Sequence, residues 1–233
     1  MSSEFGKLEL ASSVSVEAGE LAVVKLRYIV GDAGLVPGGS ITIDTESDSD
    51  WGQLQISDSI AGDFLTVVPP VGKAVSVHVP DHKSFVIIVQ SGVFSTGDVL
   101  EISLGQGSGL RTQTFYESKH YFRCRVDPES SGSSISIESV VVEVTGGQVA
   151  SLSALVPSDI ELGTAFALLL KAEDRWGNPA QKYRGSVDVS APGLMLPNGD
   201  SVVFDDSHGG VRRIEGAIFA ESGASRISAF DIE

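Results

Sequence analysis

The side chains able to do chemistry are few and badly spaced for it. His78 and His82 stand four apart, an interval at which a helix turns two imidazoles toward one zinc ion. Pro80 and Asp81 fall between them and break any such helix. His120 is read at the entrance of a strand and His208 in a Ser-His-Gly-Gly turn. All four are expected as scattered surface histidines, with no metal cluster and no cofactor. Asp44, Glu46, Asp48 and Asp50 place carboxylates at alternate positions, which makes them a weak Ca²⁺ candidate. A calcium loop needs glycine at its sixth position and a distal bidentate glutamate, and no frame here supplies both. On a strand, alternate residues share one face, where four carboxylates repel one another. A solvated acidic loop is the expectation.

Nucleophiles fare no better. Gly105-Gln106-Gly107-Ser108-Gly109 looks like a phosphate cradle, but it leads into the strand-like run Leu110–Phe115 rather than a helix N-terminus. There is no Gly-x-Ser-x-Gly elbow. The lone Cys124 rules out an internal disulfide and a multi-cysteine zinc site. It alternates in phase with Phe122 and Val126, which predicts a small buried side chain. No catalytic residue is expected.

Two tryptophans echo each other. Trp51 precedes Gly52 after the acidic run, and Trp176 precedes Gly177 after Glu173 and Asp174. An exposed ring beside carboxylates can act as a sugar platform, so both are ligand-binding candidates. More often such a ring caps the end of a sandwich while glycine takes the positive φ of the turn, and capping is the expectation.

The elements that must carry these residues are strands. Ala22, Val24, Leu26, Tyr28 and Val30 alternate with Lys25 and Arg27. Ile41 and Ile43, then Val75, Val77 and Val79, then Leu100, Ile102 and Leu104 repeat the period of two, which predicts half-buried antiparallel strands. Phe85–Val89 is apolar on both faces and is expected to lie centrally in its sheet. No segment carries an apolar stripe at helical spacing over three turns. Turn-rich stretches separate the runs, as in a sandwich or barrel.

At 233 residues the chain is long enough for two domains. The sequence predicts an all-β chain of two tandem antiparallel β-sandwich domains, the second immunoglobulin-like. Residues 1–146 form the first, with long loops, and residues 147–233 the second, with Gly146-Gly147 as the hinge. In the second domain six strands are expected, at 149–156, 164–172, 183–190, 201–204, 211–219 and 225–232. A full immunoglobulin-type module has seven, so the last is expected to be missing and the native chain to continue past Glu233.

Charge and apolar runs bound the partners. With 31 Asp and Glu against 16 Lys and Arg, the net charge is −15, which repels nucleic acid and anionic membrane surfaces. Met1–Lys7 shows no signal-peptide pattern, and the apolar runs are shorter than the ~20 residues of a membrane span. A soluble, cytoplasmic protein is the expectation.

Several motifs share an order with a known family. Leu152–Val156, Gly163-Thr164-Ala165-Phe166 and Ala172–Pro179, followed by Arg184-Gly185-Ser186-Val187, resemble the opening of a bacterial immunoglobulin-like repeat. Before it come Asp50–Gln55, Gly97–Ile102, Arg111–Glu117 and Phe122–Asp127. Together these resemble the front half of an uncharacterised bacterial family, domain of unknown function 3604. The resemblance implies that longer members carry a metal-dependent phosphoesterase-like domain after this half, marked by a Gly-Asp-Leu-His-type metal motif. That motif does not occur in this chain, so no catalytic residue is carried over. The implied role is a non-catalytic accessory region that positions a catalytic domain, walls its substrate cleft or mediates assembly, homo-oligomerisation included. Its partner would be a C-terminal catalytic domain of the same polypeptide or another subunit. The competing reading is a carbohydrate-binding or adhesive immunoglobulin-like module using Trp51 or Trp176.

Overall fold

The computed structural model describes residues 4–45, 48–223 and 225–231. The chain divides into two compact units, Met1–Val144 and Thr145–Glu233. Both are built of antiparallel strands, and the one helical element is a 3-10 turn at Asp206–His208 among the described residues.

The first unit contains β1 (Lys7–Leu10), β2 (Ser15–Glu17), β3 (Leu21–Ala22), β4 (Val24–Ile29), β5 (Ser40–Asp44) and β6 (Leu65–Val68). It continues with β7 (Ala74–Asp81), β8 (Ser84–Ser91), β9 (Val99–Leu104), β10 (Leu110–Arg111), β11 (Glu117–Asp127) and β12 (Ile135–Thr145), whose last residue falls in the second unit. A four-stranded sheet, β1-β4-β9-β6, faces a six-stranded one, β2-β12-β11-β5-β8-β7, and β3 pairs with β10 as a short flap. The period of two decides the core. Leu26, Tyr28, Leu100 and Ile102 from one sheet meet Ile41, Ile43, Phe85, Ile87 and Phe122 from the other, all essentially inaccessible to water. Phe85–Val89 lies in β8, one strand in from the edge, where β7 covers its flank. The centre belongs to β11 and β5.

Between Phe122 and Cys124 the pairing of β11 with β12 slips, from Phe122↔Val140 to Cys124↔Ile137. The extra residue in β12 is a β-bulge, and it lets both runs of inward side chains stay on the core face.

The second unit is a smaller sandwich of β13 (Ser151–Leu155), β14 (Phe166–Glu173), β15 (Ser186–Ser190), β16 (Leu194–Met195), β17 (Ser201–Val203), β18 (Val211–Phe219) and β19 (Ser228–Asp231). One sheet runs β13-β14-β18-β16 and the other β17-β15-β19. Leu168, Leu170 and Ala172 of β14 close on Val187 and Val189 of β15, with Val202, Phe204 and Ala217 completing the core. The arrangement is immunoglobulin-like, with β13, β14, β18 and β16 in the places of strands A, B, E and D, and β15 and β19 in those of C and F. It departs from that plan in chain order, because β17 beside β15 follows β16 instead of preceding it. The two-residue β16 carries too little alternation to be read from sequence, and it was not among the expected strands.

Gly146 and Gly147 are bound into the second unit. Gly146 N donates to Gln181 Oε1 at 3.3 Å, and Gly147 N donates to Asp174 Oδ2 at 2.9 Å. A Cβ on Gly146 would collide with the Pro179 carbonyl oxygen. Close approach, rather than freedom to swing, is what requires glycine here.

Candidate functional site

A buried polar cluster of the first unit joins β11 to the loops before it. His120 opens the run of inward side chains on β11 that continues through Phe122, Cys124 and Val126, and it is wholly buried. This corrects the expectation of a surface histidine. The alternation that placed Cys124 inside extends back to His120, so the signal was present in the sequence. Its Nδ1 lies 2.9 Å from Glu117 Oε2. Burial pulls the imidazole below its ordinary pKa and outweighs Glu117, which pulls the other way. The ring is therefore neutral near pH 7, with Nδ1–H donating to the carboxylate. Its Nε2 is buried without a hydrogen-bond partner.

Trp51 closes the cluster. Its ring centroid is 5.2 Å from that of His120 and 5.7 Å from Phe122 in an edge-on arrangement. Trp51 Nε1 donates to Gln113 Oε1 at 3.0 Å, and Gln113 Nε2 donates onward to Glu117 Oε2 at 2.8 Å and to the Phe115 carbonyl at 3.1 Å. Indole, amide, carboxylate and imidazole thus form one hydrogen-bonded chain, and each buried donor finds an acceptor. Trp51 is buried, so its faces are spent on the core.

The acidic stretch around it is held by separate partners. Asp44, on β5, takes a bidentate contact from Arg125 Nη2 at 2.8 and 3.1 Å. Asp50 accepts from Thr114 N and Thr114 Oγ1, both at 2.8 Å. Asp48 is close enough to His120 to act on its charge. Glu46 lies outside the described residues. Among the described residues no group of three or more His, Cys, Asp or Glu is arranged to hold a metal ion. Cys124 is buried, and loss of water pushes its thiol up to about 12, which leaves it protonated and unreactive at neutral pH. The Gly105–Gly109 stretch is the turn from β9 to β10.

In the second unit the centre is Asp174, whose importance the sequence reading missed. It is 3% exposed. Oδ1 accepts from Trp176 N at 2.8 Å and Asn178 N at 2.9 Å, and Oδ2 accepts from Gly147 N and Asn178 Nδ2, each at 2.9 Å. Burial alone would raise its pKa, but these donors outweigh burial and hold the carboxyl below its ordinary value. An aspartate ahead of Trp-Gly-Asn-Pro is a turn signature whose side chain bonds the backbone just after it. That signal was legible. Trp176, carried by this turn, is 47% exposed, and the Arg175 guanidinium lies 5.0 Å from its ring centre. The two tryptophans that look alike in sequence therefore differ: one is core and one is surface.

A groove of about 650 Å³ also opens in this unit, between the end of β13, the 157–162 loop and the segment entering β19. Among the described residues no helix is long and apolar enough to cross a membrane, a statement that leaves strand-built spans untouched.

No family model matches the chain, and no protein of curated function matches it. Among solved structures it is similar to a cohesin module from a family 33 glycoside hydrolase of Clostridium perfringens ATCC13124. The identity is 12% and the TM-score 0.33, over 62% of this chain and 98% of that one. It is also similar to a Corynebacterium diphtheriae protein described as membrane anchored, at 14% identity and a TM-score of 0.28. That likeness covers 98% of this chain and 49% of the other, so the chain spans about half its length. Likenesses as distant as these carry no argument about function.

Proposed function

We propose that the chain is a non-catalytic β-sandwich region of a larger bacterial protein, serving a metal-dependent phosphoesterase-like catalytic partner in the same polypeptide or in another subunit. One contrast within the molecule carries the accessory reading. Glu117, His120 and Asp174 are engaged by internal hydrogen bonds, with His120 Nε2 left buried and unpaired, whereas the second unit leaves open a groove whose lining mixes apolar side chains with Ser158, Glu221 and Arg226. A chain that turns these groups inward and opens a mixed apolar and polar recess to solvent is suited to binding rather than to chemistry. The kind of partner is inferred from the order of motifs that resembles the front half of the uncharacterised family. Positioning, a wall of the substrate cleft and assembly are the roles this permits.

The test is the native state of the gene product, by size-exclusion chromatography coupled to intact mass measurement. The sequence is expected within a longer polypeptide or in a stable complex with a metal-dependent hydrolase. A free species of 24.4 kDa as the sole product contradicts the proposal.

A second reading rests on Trp176, whose exposed ring is a candidate sugar platform. Glycan binding that is lost in Trp176→Ala would carry it. Trp51, being buried, lends it nothing.

A further inference from the structure

The chain contains two asparagines, Asn178 and Asn198, and their surroundings are opposite. Asn178 is buried, its carboxamide donates to Asp174 Oδ2 at 2.9 Å, and Pro179 follows it. Asn198 precedes Gly199 on the turn that leads from β16 to β17. Both residues of that pair are exposed. Gly199 takes φ +84°, and a Cβ added there would meet nothing within 4 Å, so the space beside its backbone is open. Its nitrogen donates only at 3.4 Å, to the Leu196 carbonyl, beyond the ordinary range of an amide hydrogen bond. Among the described residues no partner holds the Asn198 carboxamide.

We propose that Asn198-Gly199 is a site of spontaneous deamidation in the folded protein, at which Asn198 passes through a cyclic imide to aspartate and isoaspartate. The Gly199 nitrogen gives up its proton to hydroxide and attacks Asn198 Cγ. The new N–Cγ bond closes a succinimide ring as the Cγ–Nδ2 bond breaks, and the amide leaves as ammonia after taking a proton from water. A water molecule then adds to one of the two ring carbonyls. Cleavage at Cγ restores the backbone with an aspartate side chain. Cleavage at the main-chain carbonyl leaves isoaspartate, whose backbone runs on through Cβ and Cγ. One water enters and one ammonia departs, with no change of oxidation state. Glycine in second place leaves the attacking nitrogen uncrowded and its own φ free. Proline there has no N–H to lose, so Asn178 is closed to the reaction by its neighbour as well as by burial. Ring closure requires Asn198 to rotate out of the turn, and only the long bond to Leu196 resists that rotation. The modified residue lies between Met195 and Ser201, outside both sheets, in a recess also lined by Arg212. The product carboxylate thus joins a site holding a cation, and the chain becomes one charge more negative than −15. The inference stands apart from the accessory-region reading.

The test follows the 233-residue chain in warm, mildly alkaline buffer below its first melting transition, by peptide mapping with mass spectrometry and by isoaspartate-specific carboxyl methylation. A synthetic peptide Leu-Pro-Asn-Gly-Asp supplies the rate without a fold. Progressive replacement of amide by acid at Asn198 is expected, with isoaspartate the larger product, a rate proportional to hydroxide, and Asn178 unchanged. Gly199→Ala is expected to slow the conversion by about tenfold or more, because its Cβ crowds the attacking nitrogen. Asn198→Gln is expected to abolish it and to leave both melting transitions in place. An intact Asn198 in the native chain once the peptide has converted overturns the proposal. So does acid formation that maps to another residue, a rate unchanged in Gly199→Ala, or conversion seen only when denaturant unfolds the second unit.

Discussion

Asp174→Ala is expected to melt the second unit at temperatures where the first unit remains folded. The carboxylate is 3% exposed and accepts four hydrogen bonds, from Gly147, Trp176 and twice from Asn178. Alanine removes the acceptor and leaves those donors without it. An orphaned buried donor costs about 1–3 kcal/mol, with water entering the vacated site recovering part of it. A net loss of about 3–5 kcal/mol is expected, a large share of the stability of a domain of this size. The melting temperature of the unit should then fall by on the order of 15–20 °C. Asp174→Asn should recover little, because its amide hydrogens would face the same donors.

The pH dependence has a definite sign. The folded carboxyl is held below its ordinary pKa, so its stabilisation is fully present above the unfolded value near pH 4. It is lost as the pH falls through the lower folded value, and wild type and variant should converge there. Two-transition calorimetry of both proteins checks this. An unchanged second transition in Asp174→Ala would show that the turn does not depend on its carboxylate.

Trp51→Ala has the corresponding effect in the first unit. The indole fills space against His120 and Phe122 and ends the hydrogen-bonded chain through Gln113 to Glu117. Emptying such a site costs about 3–5 kcal/mol for a tryptophan. The first transition should drop by on the order of 10 °C while the second stays in place. The histidine supplies an independent readout. Its depressed pKa comes from burial, so admitting water past the missing ring should move it up toward the ordinary value near 6.5. NMR titration of the His120 ring protons measures this. A variant that melts like the parent, with an unmoved His120, would mean that Trp51 belongs to the surface after all.

The residues made legible whatever a period of two encodes. The inward phases of β4, β5, β9 and β11, the burial of Cys124 and the all-antiparallel plan come from alternation, because each strand has one wet face. Where alternation is short or interrupted, it fails. The two residues of β16 give no pattern, and the bulge opposite Arg123 is invisible without the partner strand. The site was less legible for a different reason. His120 and Asp174 are polar side chains in places that alternation or turn chemistry marks as internal, and residue type alone argues for the surface. Only pairing overrides that preference. Glu117 sits three residues before His120 and reaches it only because the pairing of β11 with β12 is irregular between them, and Asn178 sits four after Asp174, a spacing that a turn brings into contact. The tryptophans show the converse. Trp51-Gly52 and Trp176-Gly177 share a local motif, yet packing from distant segments sends one inward and leaves the other out.

The claim on which the functional reading depends is that this polypeptide performs no catalysis by itself. Steady-state hydrolysis of a generic phosphomonoester and a phosphodiester by the purified 233-residue chain, with Mg²⁺, Mn²⁺ or Zn²⁺ added in turn, tests it most directly. The account predicts rates indistinguishable from buffer with the same metals. Metal-dependent turnover that copurifies with the chain and disappears in His120→Ala, with the fold intact by calorimetry, would contradict it.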